Sequence, residues 1–228
     1  MRRLWICCSV LLMVTLAGCR ADRGKPVNDM AEQVSIANPT PPATAYRPTI
    51  VCFGDSLTAG YGTDPGESYP DALQKILDAN AYPYRVINEG VSGNTTKDAL
   101  ERIGRVIARH PEVVVLEFGG NDGLRGLPLE QTKANLASLI DQLQTAHVKV
   151  LLAGITLPPS YGPDYIAKFN AIYPALAKRY KIPYIPFLLK GVFGVEGAMQ
   201  EDGIHATGSG NKTVAANVAT RLAPLLQH

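Results

Sequence analysis

Residues 113–126 read VVVLEFGGNDGLRG, a largely apolar run that breaks into two glycines, an asparagine and an aspartate. A short β-branched run without alternation belongs to a strand covered on both faces, as strands of a parallel sheet are. Gly119 and Gly120 remove side chains where something must come close, and Asn121 and Asp122 put polar groups at the edge of the core. Asp122 is expected to serve its own loop's hydrogen bonds.

Strands and helices alternate outward from this run. TIVCF (49–53) precedes a helix around YPDALQKILDAN (69–80), and YRVIN (84–88) precedes TTKDALERIGRVIARH (95–110). Downstream come LEQTKANLASLIDQLQTAH (129–147), the strand KVLLAGI (149–155) and a helix around DYIAKFNAIYPALAKRY (164–180). A short IPYIPF (182–187) then leads to a last helix from about Ser209. The helices follow from spacing: Leu136, Leu139, Ile140 and Leu143 form one stripe, and Phe169, Tyr173, Leu176 and Tyr180 another. This order predicts one α/β domain over 48–228, a three-layer α/β/α sandwich on a mainly parallel five-stranded sheet. Ligands of open parallel sheets gather at the carboxyl ends of the strands, so the chemistry is expected there.

Three of those ends are polar. TIVCF runs into Gly54-Asp55-Ser56-Leu57, where Asp55 and Ser56 suit a helix cap as well as a nucleophile. YRVIN runs into Glu89-Gly90-Val91-Ser92-Gly93-Asn94-Thr95, where Gly93 can offer its N–H to a ligand, although a turn with a cap at Thr95 explains the same residues. The third end carries Asn121, an amide donor. Of the four histidines, His110 and His147 sit at helix ends and His228 is terminal, whereas His205 lies three residues after Asp202 in a glycine-containing turn. At that separation Asp202 can accept from Nδ1–H and leave Nε2 as a base.

These residues resemble the SGNH, or GDSL, hydrolase family. Gly54-Asp55-Ser56-Leu57 is similar to its first block, Gly93 in Ser92-Gly93-Asn94-Thr95 to its second, Gly119-Gly120-Asn121-Asp122 to its third and Asp202-Gly203-Ile204-His205 to its fifth. Gly-Gly-Asn-Asp-Gly-Leu-Arg-Gly and the later Leu157-Pro158-Pro159 with Tyr161-Gly162 resemble the bacterial arylesterase, thioesterase and lysophospholipase subgroup. The resemblance implies Ser56 as nucleophile, His205 as general base and Asp202 as its orienting partner. It implies an oxyanion hole from the Ser56 and Gly93 N–H groups and the Asn121 amide, with no metal or organic cofactor. One residue departs from the subgroup, Ala206 standing where proline commonly follows the histidine, which leaves open how rigidly His205 is held. Tyr69, Leu124, Leu157, Pro158 and Tyr161 are candidates to line an apolar acyl groove, and Arg125 either meets a phosphate or is solvated.

The expected activity is hydrolysis of aryl or acyl esters, acyl thioesters or lysophospholipids through an acyl-enzyme, with a carbohydrate O-acetyl esterase as the alternative. A metal-dependent phosphoesterase built on Asp55, Asp122, Asp202 and His205, and a binding protein without catalysis, are more distant readings.

The front of the chain carries other signals. Arg2 and Arg3 precede the apolar run LWICCSVLLMVTLA, which fits a secretory signal peptide over residues 1–18. Leu16-Ala17-Gly18-Cys19 resembles the lipobox of bacterial lipoproteins, which implies a lipid on Cys19 and anchoring at the bacterial envelope; the polar, proline-containing stretch makes 19–47 the lipidated cysteine and tether, and the protein is expected to be a monomer. Arg20 after the cysteine implies the outer membrane, facing the periplasm. Cys7 and Cys8 leave with the signal, so Cys52 alone remains in the domain, expected as a buried structural thiol without a disulfide. Lys and Arg number 22 against 20 Asp and Glu, and Arg2 and Arg3 belong to the leader, so the remainder is balanced and has no electrostatic basis for nucleic acid.

Overall fold

The structure, a computed structural model, describes residues 47–227. The signal peptide, Cys19 and nearly all of the tether lie outside the described residues. The chain runs through β1 (Thr49–Gly54), α1 (Ser56–Ala59), α2 (Tyr69–Ala79), β2 (Arg85–Gly90), α3 (Thr96–Ile107), β3 (Val113–Glu117), α4 (Gly120–Leu124) and α5 (Leu129–Thr145). It continues through β4 (Lys149–Ala153), α6 (Pro163–Asn170), α7 (Ile172–Tyr180), β5 (Tyr184–Ile185) and α8 (Gly208–Leu222). Short 3₁₀ turns cover Pro159–Tyr161 and Ala223–Leu225.

The five strands pair in parallel in the order β2-β1-β3-β4-β5. All five residues of β3 are buried, as are five of the six in β1, because helices cover both faces. Helix α2 packs on α8, and α5 packs on α3 and α7. Capping boxes start two helices: Ser68 pairs reciprocally with Asp71 at α2, and Thr95 with Asp98 at α3. Between β1 and β3 the strand order reverses direction, so the segments leaving their carboxyl ends diverge and open a crevice.

Two elements are shorter than their sequence patterns predict. The helix expected over 164–180 is interrupted at Ala171, because Pro174 has no N–H for the Asn170 carbonyl and its ring crowds that turn. The last strand shrinks to Tyr184–Ile185, since Pro183 and Pro186 remove a ladder donor on either side.

Candidate active site

At the end of β1 the chain turns directly into α1. Asp55 is the cap, its Oδ1 accepting from the Leu57 N–H at 3.1 Å, and Ser56 is the first helical residue. An N–H in the first turn of a helix has no intrahelical acceptor, and that of Ser56 has none elsewhere among the described residues. After β2, Gly93 adopts φ of +82° and likewise leaves its N–H without an acceptor. Its carbonyl accepts from the guanidinium of Arg125 at 2.8 Å; that side chain is exposed, as one of the two expectations had it, and also fastens the second loop to the third.

The stretch from 113 to 126 leaves β3 through Gly119 at φ of +115°, where a Cβ would come within 2.6 Å of the Tyr173 hydroxyl. It then forms the single turn α4, which the sequence pattern did not reveal. Asn121 in that turn donates from Nδ2 to Asp55 Oδ2 at 3.1 Å and to the Asn94 carbonyl at 2.9 Å. Its amide is thereby fixed beside the Ser56 turn. Asp122 does not serve its own loop: it accepts from the Thr96 N–H and hydroxyl at 2.9 and 2.5 Å and from the Thr132 hydroxyl at 3.4 Å. Those bonds pin α4 to the first turns of α3 and α5, because both helix starts converge on this buried carboxylate.

The segment before α8 completes the constellation. His205 Nε2 lies 2.8 Å from Ser56 Oγ, and its Nδ1 lies 2.6 Å from Asp202 Oδ2. Asp202 Oδ1 also accepts from the backbone N–H groups of Ile204 and His205. Burial tends to raise the Asp202 carboxyl, but the His205 ring and these backbone donors outweigh it and hold its pKa below the ordinary value. Ala206 lacks the restraint of a proline, and hydrogen bonds supply it instead. The Gln200 N–H donates to the His205 carbonyl at 2.8 Å, and the Gln200 amide holds the Ala206 carbonyl at 2.9 Å and the Tyr61 carbonyl at 2.7 Å.

Ser56, Asn121 and His205 border a cleft of about 640 Å³, counting its open mouth. Leu124, Leu157 and Pro158 line it as expected; Tyr161 does not line it but donates its hydroxyl to the Leu124 carbonyl at 2.8 Å from an exposed position. Tyr69 is not a groove residue. It is fully buried at the start of α2, its hydroxyl 3.3 Å from Thr58 Oγ1, because Tyr69, Leu73 and Leu77 form that helix's inward stripe. Sequence reasoning missed Leu57, Ile155, Phe187, Leu189, Phe193 and Ile204, which supply most of the remaining apolar wall. Ile155 and Phe187 follow β4 and β5, so the same strand-end rule would have pointed to them. Tyr61 was also missed; it is exposed, and its ring centroid lies 4.7 Å from that of His205.

Arg102 of α3 lies beneath the second loop. It donates to Asn94 Oδ1 at 2.7 Å and to the Glu89 and Gly54 carbonyls at 2.8 Å each, with its guanidinium over the Phe53 and Phe118 rings. Cys52 is fully buried, and burial pushes its thiol up to about 12, far from a nucleophile's range. No cluster of three or more His, Cys, Asp or Glu side chains is arranged to hold a metal among the described residues.

Residues 52–213 match the model of the GDSL-like Lipase/Acylhydrolase family, and that span contains every block of the site. The chain belongs to this family. It is accordingly a carboxylic ester hydrolase. It is 44% identical over 183 residues to Esterase TesA of Pseudomonas aeruginosa, covering 80% of this chain and 91% of that protein. It is 36% identical over 185 residues to the thioesterase 1/protease 1/lysophospholipase L1 of Escherichia coli K12, covering 81% and 88%. Among solved structures it is similar to the psychrotrophic esterase EstA from Pseudoalteromonas sp., inhibited by monoethylphosphonate. There the TM-score is 0.73 at 29% identity, covering 77% of this chain and 97% of that one.

Proposed function

We propose that this acylhydrolase works through an acyl-enzyme on Ser56. The observation that carries the reading is the continuous relay from Ser56 Oγ through His205 to Asp202, opening on an apolar cleft. His205 Nε2 takes the Ser56 proton as Oγ attacks the ester carbonyl, and Asp202 holds the imidazole in the tautomer that leaves Nε2 free. The oxyanion forms between the Ser56 and Gly93 N–H groups and the Asn121 amide; there it shares an Asn121 hydrogen otherwise directed at Asp55. His205 then protonates the leaving group, and water attacks the acyl-enzyme by the same route.

The apolar wall suits an acyl chain, and the relatives named for esterase, thioesterase and lysophospholipase activities place aryl esters, acyl thioesters and lysophospholipids among the substrates to test. Hydrolysis of 4-nitrophenyl and thioester series of increasing acyl length is expected to favour chains longer than acetyl. Activity should fall at least about 10³-fold in Ser56→Ala, and labelling by a serine-directed phosphonate should be lost with it. Turnover confined to acetyl esters would instead assign a carbohydrate O-acetyl esterase, and full activity in Ser56→Ala would refute the nucleophile. From the sequence motif alone, we also propose that lipid on Cys19 holds the protein at the outer membrane, its domain in the periplasm.

A further inference from the structure

Glu117 is a fully buried carboxyl in the strand that otherwise reads as pure core. A buried polar group is costly unless its bonds are made, and packing alone gives no reason for a carboxyl here. Its bonds run to the nucleophile turn: Oε2 accepts from the Asp55 N–H at 3.2 Å and from the Thr58 hydroxyl at 2.9 Å, bracketing Ser56 on both sides. Room for this is made by Gly54, where a Cβ would lie 2.5 Å from Glu117 Oε2 and 2.0 Å from Thr58 Oγ1. The other oxygen, Oε1, is buried without a hydrogen-bond partner among the described residues. Asp55 in turn caps α1 through Oδ1 and receives the Asn121 amide on Oδ2.

We propose that Glu117 is a positioning residue whose carboxyl joins the Ser56 turn and the Asn121 amide into one rigid unit. It meets no substrate; it acts by fixing the nucleophile and the oxyanion donor relative to each other. Burial, and then the charge of Asp55, raise the Glu117 pKa well above the ordinary value, which favours the neutral acid there. Asp55, also raised by burial but only to about 6, collects the N–H donors that stabilise a carboxylate. Glutamine matches the neutral acid in shape and keeps an oxygen for the Asp55 N–H and Thr58 hydroxyl. Leucine keeps the volume and removes every bond.

The inference rests on Ser56 and Asn121 acting as proposed, so Ser56→Ala and Asn121→Ala are measured alongside. Glu117→Gln is expected to keep kcat within about threefold, and Glu117→Leu to lower it by about 10²-fold with KM changed less than about twofold. In the Asn121→Ala background the leucine substitution should cost less than about threefold, since the amide it misplaces is gone. At neutral pH the infrared difference between wild type and Glu117→Gln should contain a protonated-carboxyl stretch. The proposal is overturned by a glutamine variant as slow as the leucine one, by a leucine variant as fast as wild type, by an undiminished leucine effect without Asn121, or by absence of the infrared band. Should Glu117→Leu fail to fold, the glutamine variant and the band decide. An active Ser56→Ala enzyme would instead remove the acyl-enzyme reading itself.

Discussion

Replacing Glu117 by glutamine deletes one proton-binding group from the middle of the sheet while keeping its outline, and stability against pH reads the consequence. In the unfolded chain this carboxyl titrates near 4.5, whereas in the native state burial and the adjacent Asp55 charge raise it well above that. Between those values the folded protein holds a proton that the unfolded chain has released. The unfolded state then binds fewer protons, so the unfolding free energy of the wild type falls as pH rises, by up to about 1.4 kcal/mol per pH unit for one group. The variant has no such proton. Its advantage over wild type should therefore grow by about 2.5 kcal/mol between about pH 5 and pH 7, provided the native carboxyl stays protonated across that window. Asp55, raised from 3.8 to about 6, adds a slope of the same sign. Urea unfolding at several pH values, with the m-value checked for constancy, measures the gap. A gap that stays flat or narrows with rising pH would falsify the neutral-acid assignment.

Two further outcomes follow from the site and the leader. Arg102→Lys retains the charge but not the planar fork that reaches three acceptors, so urea unfolding should show a loss of roughly 2–4 kcal/mol; unchanged stability would mean that those bonds contribute nothing net. For the anchor, labelled fatty acid should enter the wild-type protein in bacterial cells but not Cys19→Ala, which should appear in the soluble periplasmic fraction; equal labelling of both would sink the lipidation proposal.

The sheet was legible because its strands are short, β-branched and without alternation, and because Leu136, Leu139, Ile140 and Leu143 mark a stripe that the structure buries. Ser56, His205 and Asp202 could be found because strand ends collect chemistry and because an aspartate three residues before a histidine can meet its ring. Other residues were hidden by ordinary patterns. Arg102, Arg105 and Arg109 look like a solvated helix face, yet all three surround the carboxylate of Glu89. Glu117 disappears into an apolar run, although a lone acid in such a run is itself a signal. Tyr69 was assigned to the groove although it opens the helix expected over 69–80, because that helix turns Tyr69, Leu73 and Leu77 inward.

The Asp202–His205 segment holds itself together before it holds anything else. The carboxylate grips both the ring and the backbone of the same histidine, while the link to Ser56 is a single contact across 149 positions of chain. Acid and base therefore travel as a cartridge: a fluctuation of this segment separates the pair from the serine without taking the pair apart. Loosening its clamps, Gln200 foremost, should change how often the enzyme is loaded for attack and leave the intrinsic strength of the base as it was.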